Sequence, residues 1–161
     1  MFGANSIARF LAAFLTAFLV HGVAVMAETA TVGPPEVVDG ETVRVAGKTF
    51  RLYGIDAPDI AQTCEIRGRT YNCGRVSMTA LMDLVAGVSI RCVPRRGAGT
   101  SPVTANCFAA GYDLSEGMVH TGWALAMPRG GTKYARIEAR AKNAKRGLWK
   151  GKFMMPWEWR R

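Results

Sequence analysis

Short apolar runs separated by turn residues constrain the fold of this chain most. Four such runs lie at residues 36–45, 48–55, 88–93 and 103–109. The first is divided into two strands by a turn signal at Asp39-Gly40. Residues 74–85 carry apolar side chains at helical spacing, between the third and the fourth strand. This order predicts a mainly β, α+β fold: a small five-stranded barrel of the OB type with about three helices.

The back half of the chain predicts the other two helices. Asp113-Leu114-Ser115-Glu116 has the form of a capping box and opens a short helix that runs towards Thr121. A longer helix begins near Thr132, which can cap it. Its apolar stripe recurs at helical spacing, at Tyr134, Ile137, Ala141, Ala144 and Leu148.

The first 27 residues have the composition of an export signal. Arg9 supplies a positive charge, and an apolar run over residues 10–20 leads to small residues that end at Ala27. We predict a signal peptide over residues 1–27 and a single domain over residues 28–161, secreted or periplasmic and without stable membrane association after cleavage. An uncleaved anchor is the alternative, since the apolar stretch approaches membrane-spanning length.

All four cysteines lie after this leader, and their number is even. An oxidising compartment implies up to two disulfides, for which three connectivities are possible. Sequence neighbours favour Cys64–Cys73, which closes a short loop, and Cys92–Cys107, which joins two strand-like runs. A zinc site is the competing interpretation. However, the sequence has no CxxC spacing, and His120 is its single histidine after the leader.

Positive charge is concentrated in the back half. The chain has 21 Lys and Arg against 12 Asp and Glu, a net charge of +9, and residues 129–152 hold nine of the cations and one acid. A solvated helix face explains part of this, and a surface that binds a polyanion by counterion release explains the same pattern. We predict a monomer that binds nucleic acid or another polyanion. The candidate contacts are Arg95, Arg96, Lys133, Arg136 and Arg140.

Two segments carry the carboxylates and the arginine of a candidate site. They are residues 38–43, Val-Asp-Gly-Glu-Thr-Val, and residues 50–59, Phe-Arg-Leu-Tyr-Gly-Ile-Asp-Ala-Pro-Asp. Three further motifs follow: Gly-Tyr-Asp-Leu at 111–114, Gly-Trp-Ala at 122–124 and Gly-Leu-Trp at 147–149. In this order the motifs resemble the thermonuclease (staphylococcal-nuclease-like) family over about residues 35–150. The cysteines and the Pro-Trp-Glu-Trp-Arg tail at 156–160 resemble its exported bacterial branch.

The resemblance implies metal-dependent hydrolysis of phosphodiesters in DNA or RNA. Glu41 and Asp56 stand at the positions of metal-ligand carboxylates, which suit a hard cation such as Ca²⁺. Arg51 would clamp a phosphate and offset the charge that develops in the transition state. Asp59 would position or deprotonate the attacking water. Read without the resemblance, Glu41 and Asp56 are surface charges beside a turn.

Departures from the family pattern predict weakened catalysis. Glu41 is one methylene longer than the family's Asp, and Asp59 is one shorter than its Glu; a displacement of ~1 Å can cost about 10²-fold in rate. The family normally shows D-R-Y-G-R-x-V-A-x-C before its cysteine, and Pro102 stands where the phosphate-binding arginine is expected. Such arginines are worth about 10³–10⁵-fold. Arg95 or Arg96 could replace it.

Three functions therefore stay open, and the sequence does not decide whether the chain is an enzyme. The first is a secreted nuclease of reduced turnover. The second is a non-catalytic, nuclease-derived module that holds nucleic acid or another polyanion on residues 129–152. The third is an envelope protein of exopolysaccharide production, because some members of the exported branch are linked by name to succinoglycan biosynthesis.

Overall fold

The structure is a computed structural model that describes residues 29–95 and 102–161. The predicted signal peptide and Arg96 lie outside the described residues. The strands are β1 (Thr31–Gly33), β2 (Pro35–Val37), β3 (Thr42–Val45), β4 (Lys48–Leu52), β5 (Ile55–Asp56), β6 (Thr63–Ile66), β7 (Arg69–Asn72), β8 (Ile90–Pro94), β9 (Val103–Ala109), β10 (Tyr112–Asp113) and β11 (Leu125–Ala126). The α-helices are α1 (Cys73–Leu84), α2 (Leu114–Thr121), α3 (Gly131–Asn143) and α4 (Pro156–Trp159).

The main sheet curls into a nearly closed barrel. Its strand order is β1-β8-β9-β4-β3-β2, with β10 paired to β9, and the β4–β9 pair is the parallel one. The strands β1 and β2 stand at opposite ends of this order, although Pro34 alone separates them in sequence. A sheet whose two ends are joined by one residue must curve back on itself, which hides its edges.

The predicted mainly β barrel with helices is confirmed in outline, and the architecture is compatible with an OB-like fold. Among the described residues the main sheet has seven strands where five were predicted. The extra strands, β1 and β10, are three and two residues long, too short for an alternating pattern to reveal them. The helices α1 and α2 match the predicted ones, and α4 is additional.

The predicted third helix is shorter than its apolar stripe suggests. Helix α3 begins at Gly131 without a side-chain cap, so Thr132 is not its cap. It ends at Asn143, because Lys145 and Gly147 adopt positive φ angles of 48° and 51° that turn the chain into a short 3-10 helix over Gly147–Lys150. Ala144 is therefore exposed, whereas Tyr134 and Ala141 are buried as predicted.

The interior of the barrel is filled from alternate strand positions. On β9 the buried residues are Ala105, Cys107 and Ala109, two apart, as a strand with one face inward requires. Val43, Phe50 and Leu52 on the neighbouring strands, with Leu81 of α1 and Met118 of α2, complete this core. None of the helices in the described ranges is long and apolar enough to cross a bilayer.

A second, smaller core lies outside the barrel and holds the end of the chain. Buried Leu125 and Leu148 pack there with Trp149, Phe153 and Trp157. The backbone of Lys152 pairs with Glu65 of the β6–β7 hairpin. The C-terminal segment is thus fixed to the body of the protein by apolar contacts and by backbone hydrogen bonds.

The structure contains two disulfides, in the pairing that the sequence neighbours favour. Cys64–Cys73 joins β6 to the first residue of α1, with its Cα atoms 5.6 Å apart. Cys92 and Cys107 face each other across the β8–β9 pair, with their Cα atoms 4.0 Å apart. Each bridge joins elements that are already in contact in the fold. Each stabilises the folded state by reducing the conformational entropy of the unfolded chain.

Asp113 docks α3 onto α2. Its Oδ1 caps α2 by accepting from the backbone N–H of Ser115 at 3.0 Å, which confirms the N-cap of the predicted capping box, whereas the Glu116 carboxylate pairs with Lys133. Its Oδ2 accepts from the hydroxyl of buried Tyr134 on α3 at 2.7 Å. Burial and this carboxylate raise the pKa of Tyr134 well above its usual range, so its hydroxyl remains a donor.

Replacing Tyr134 by phenylalanine should therefore destabilise the fold. The substitution removes the donor to a buried carboxylate oxygen, and we expect the free energy of unfolding to fall by about 1–3 kcal/mol. Urea unfolding measures the change. Tyr112→Phe is the matched control, because Tyr112 is 45% exposed. Equal effects of the two substitutions would contradict this role of the Tyr134 hydroxyl.

Candidate functional site

The β3–β4 hairpin places Glu41 and Arg51 side by side. Thr42 pairs with Arg51 in the antiparallel register, and the Leu52 N–H donates to the Glu41 carbonyl at 2.8 Å. The Arg51 Nε donates to Glu41 Oε1 at 2.9 Å, and its Nη2 contacts the same oxygen. Glu41 is 4% exposed. The interpretation of Glu41 as a surface charge is therefore wrong.

The Asp39-Gly40 turn fixes the position of Glu41. Asp39 Oδ1 accepts from the backbone N–H of Glu41 at 2.8 Å, which closes a local Asx turn. A Cβ at Gly40 would overlap the Ser77 hydroxyl and approach Ala57 Cβ at 2.9 Å. Only glycine lets this turn lie so close to α1.

Asp56 reaches the same region from β5. Gly54, with φ of 78°, turns the chain between β4 and β5, and β5 pairs Asp56 with Leu125 of β11. Asp56 is 5% exposed, so it too is not a surface charge. The next residue, Ala57, donates its N–H to Glu41 Oε2 at 3.2 Å, which links the two carboxylate positions.

Arg160, which follows α4, forms an ion pair with the carboxylate of Asp56. Its Nη2 contacts Asp56 Oδ1, and its Nη1 lies 3.5 Å from the Ala57 carbonyl oxygen. Sequence reasoning missed this residue as part of the site. The aromatic and cationic residues of the tail at 156–160 were the one sequence feature that pointed to a role for this segment. They did not indicate which carboxylate Arg160 contacts.

Glu41, Arg51 and Arg160 line one pocket of about 210 Å³. Its charged and polar lining consists of Asp39, Glu41, Arg51, Asp59 and Arg160. Asp59 is partly exposed, and its Oδ1 accepts from the Ala61 N–H at 3.0 Å. The structure thus brings together the predicted Arg51, Asp59 and Glu41, with Asp56 held just behind Arg160.

A larger pocket of about 560 Å³ lies between β2 and the end of α1. Its lining is mostly apolar, and among the described residues Glu36 is its one ionisable side chain. No lysine or arginine is among the described residues of its lining, so it offers no positive charge to bind a phosphate. The smaller pocket is therefore the candidate site, on chemical grounds.

Burial and charge act on Glu41 in opposite directions. Burial raises the pKa of its carboxyl group, and the nearby Asp56 and Asp39 add to this, while the Arg51 hydrogen bond lowers it without cancelling the rise. Burial alone would lower the pKa of Arg51, but the Glu41 carboxylate outweighs it and raises that pKa. The guanidinium therefore stays charged, and Glu41 is held by it.

The carboxylates of Glu41 and Asp56 already accept hydrogen bonds from protein donors, which compete with the predicted Ca²⁺ for the same oxygens. Both Glu41 oxygens accept hydrogen bonds, from Arg51 and from the Ala57 N–H, and Asp56 Oδ1 contacts Arg160. A calcium ion takes about 6–8 oxygen ligands. No group of three or more His, Cys, Asp or Glu side chains in the described ranges is arranged to hold a metal. This arrangement does not fit calcium, and calcium binding stays a prediction that requires these pairs to separate.

Arg95 lies elsewhere. Its guanidinium stacks 4.2 Å from the ring centroid of Tyr53, and its Nη1 donates to Asn106 Oδ1 at 3.3 Å. It is not among the described residues that line the pocket. Pro102 is exposed just before β9. The predicted replacement of the missing arginine by Arg95 is therefore not seen, and Arg96 lies outside the described residues.

The predicted cationic contacts on α3 differ in how far their charge is compensated. The Lys133 Nζ lies 2.7 Å from Glu116 Oε2 and 3.5 Å from Asp113 Oδ2, and the Glu116 hydrogen bond raises the pKa of Lys133. Arg136 bonds within its own helix, to Thr132 at 3.4 Å, and is exposed, as is Arg140. Arg136 and Arg140 are thus the better placed to meet a polyanion.

The raised pKa of Glu41 gives a pH dependence with a defined sign. Between the ordinary value of 4.5 and the raised value, the folded protein holds more protons at Glu41 than the unfolded chain does. The contribution of Glu41 to the free energy of unfolding therefore falls as the pH rises through this window. Glu41→Gln removes the titration. The stability of the wild type minus that of the variant should decrease as the pH rises from 4.5 through this window.

Urea unfolding of both proteins across this range measures the difference. Glu36→Gln is a control at an exposed carboxylate. A wild-type advantage that grows with pH would show that the Arg51 pair, and not burial, dominates the titration of Glu41.

Comparison with known proteins finds two relatives, and no family model matches the chain. The probable staphylococcal-like nuclease CAN3 of Oryza sativa subsp. japonica is 30% identical over 115 residues, 70% of this chain but 28% of that protein. The chain thus spans less than a third of this relative. This distant homology and the barrel-like sheet fit a staphylococcal-nuclease-like fold.

The other relative is matched over most of its length. The succinoglycan biosynthesis protein ExoI of Rhizobium meliloti (strain 1021) is 32% identical over 146 residues, 88% of this chain and 76% of that protein. Identity at this level over most of both chains indicates common descent and a common fold. The chain therefore belongs to the family of the succinoglycan biosynthesis protein ExoI.

Proposed function

We propose that this protein is an exported, staphylococcal-nuclease-type phosphodiesterase of reduced turnover, which hydrolyses DNA or RNA on an OB-type barrel. One observation carries the proposal: Arg51, held by buried Glu41, shares a pocket with Asp59. A guanidinium oriented by a carboxylate is suited to bind the two non-bridging oxygens of a phosphodiester. The distant homology to a staphylococcal-like nuclease supports the same chemistry.

The residues of the pocket can divide the reaction between them. Arg51 is 38% exposed at its side chain, and it uses Nε and Nη2 on Glu41, which leaves Nη1 for a phosphate oxygen. Asp59 Oδ1 is bonded to Ala61, and its other oxygen can accept the proton of a water molecule. The water oxygen then attacks phosphorus, the bond to the leaving oxygen breaks, and the leaving oxygen takes a proton from solvent.

The degenerate site is part of the proposal. Asp59 replaces a longer Glu, and Pro102 replaces an arginine, so the water and the phosphate are each held by fewer or shorter groups. Export to the periplasm or medium is supported by the two disulfides, which persist in oxidising compartments.

A second candidate function is a polyanion-binding module without catalysis. It is supported by the family relationship to a protein named for succinoglycan biosynthesis and by the exposed Arg136 and Arg140 on α3. In this case the ligand is an acidic polysaccharide or a nucleic acid, and the monomer binds it through counterion release.

Substitution of Arg51 tests the nuclease proposal. Arg51→Lys keeps the charge that buried Glu41 needs but loses the planar fork, so we expect cleavage of single-stranded DNA or RNA to fall by about 10²–10³-fold. Cleavage is measured on the disulfide-bonded protein, with Ca²⁺ and with chelator. Arg44→Lys is the matched control, because Arg44 lies on the same hairpin and pairs with exposed Glu36. No cleavage by the wild type, or equal loss in both variants, would reject the proposal.

Substitution on α3 tests the second candidate. If Arg136 and Arg140 contact a single-stranded polyanion, replacing both by Gln should reduce the slope of log K against log salt by about 1.4. Arg67→Gln with Arg69→Gln removes the same charge from the exposed end of the β6–β7 hairpin and should leave the slope unchanged. Competition between DNA and succinoglycan for the wild type then identifies the preferred ligand class. An unchanged slope in the α3 variant would contradict binding through this helix.

A further inference from the structure

We propose that Arg160 supplies a second phosphate-binding guanidinium to the pocket of Arg51, so that the C-terminal segment forms part of the substrate site. This inference rests on the proposed phosphodiesterase function and names a residue that it did not include. It starts from one feature of the pocket, in which two buried carboxylates each hold one partly exposed arginine.

The two pairs are alike in burial. The side chains of Glu41 and Asp56 are 5% and 8% exposed, whereas those of Arg51 and Arg160 are 38% and 34% exposed. Each carboxylate therefore lies beneath its arginine and orients it, and each guanidinium faces the pocket. A carboxylate placed behind an arginine fixes the plane of the guanidinium and reduces the entropy lost when it binds an anion.

Both guanidinium groups have donors left for a ligand. A guanidinium carries five N–H donors. Arg160 contacts Asp56 with Nη2 and lies 3.5 Å from the Ala57 carbonyl with Nη1. Its Nε has no acceptor among the described residues, and the same is true of Nη1 of Arg51. Two arginines with unused donors on one pocket suit the non-bridging oxygens of a phosphodiester.

The second arginine lowers the excess of negative charge at the pocket. Arg51 and Arg160 compensate Glu41 and Asp56, but Asp39 and Asp59 also lie on the pocket lining. These two carboxylates leave an excess of two negative charges, and loss of Arg160 would raise the excess to three, which disfavours an anion further. Removing Arg160 therefore should have a large effect on phosphate binding, because it also exposes the charge of Asp56.

The placement of Arg160 is built into the fold. It follows α4, whose Trp157 packs in the second core, and Gln62 Nε2 donates to the Met154 carbonyl at 2.7 Å. The Arg160 N–H also lies 3.3 Å from the Pro156 carbonyl, at the end of that helix. The segment is thus held by contacts that do not depend on the Asp56 pair.

Binding of the dinucleotide dTpdT, which carries one phosphodiester, tests the proposal without cleavage. The full chain with its disulfides is titrated in chelator, with binding followed by NMR. Arg160→Gln should weaken binding by about tenfold or more, since a hydrogen bond to a charged group is lost. Arg161→Gln is the matched control, an exposed neighbour with the same change of charge, and should change binding less than about twofold.

Two results would overturn the proposal. Equal weakening of dTpdT binding by Arg160→Gln and Arg161→Gln would show that Arg160 acts only through its net charge and not through a specific contact. Unchanged dTpdT binding together with new Tb³⁺ binding by Arg160→Gln would make Arg160 a substitute for a metal ion at Asp56. If Arg160→Gln fails to fold, Arg160→Lys keeps the charge without the fork and should give an intermediate loss. A wild type that binds dTpdT through Arg160 but cleaves nothing would reject the nuclease proposal and leave this inference standing.

Discussion

The burial of two carboxylates beside each other is the constraint on which the candidate site depends. Glu41 and Asp56 lie under the surface between β3, β4 and β5, where unpaired charges are costly. Each needs a cation, and the fold supplies an arginine to each from a different part of the chain. The same arginines are the groups that can bind a phosphate. In this account, the two ion pairs that compensate the buried carboxylates therefore also orient the arginines for phosphate binding.

The rest of the structure fixes the positions of these two ion pairs relative to each other. The β3–β4 hairpin sets Arg51 beside Glu41, and the Asp39-Gly40 turn fixes the hairpin on α1. The second core fixes the C-terminal segment and, with it, Arg160. Both disulfides tie elements next to these, one at the start of α1 and one inside the barrel. In the proposed enzyme, the weakened part is the reacting end of the site, because Asp59 and Pro102 stand where the family resemblance implies a longer Glu and an arginine.

Local sequence patterns predicted what depends on near neighbours. Helix α1, the Asp113 cap and the pocket position of Arg51 follow from spacing over a few residues or from family motifs. Contacts over long sequence distances could not be predicted in this way. Arg160 and Asp56 are 104 residues apart, and no periodicity connects them. Lys133 was predicted as a polyanion contact, although Glu116 compensates its charge across the α2–α3 contact.

The central claim is that Arg51 and Arg160 bind one phosphodiester between them. The most direct test is an NMR titration of the arginine Nε–Hε signals with dTpdT in chelator, at constant salt. The account predicts that the signals of Arg51 and Arg160 shift together and saturate at the same ligand concentration. Shifts confined to Arg136 and Arg140 on α3, with both pocket signals unchanged, would contradict it and place the ligand on the helix surface.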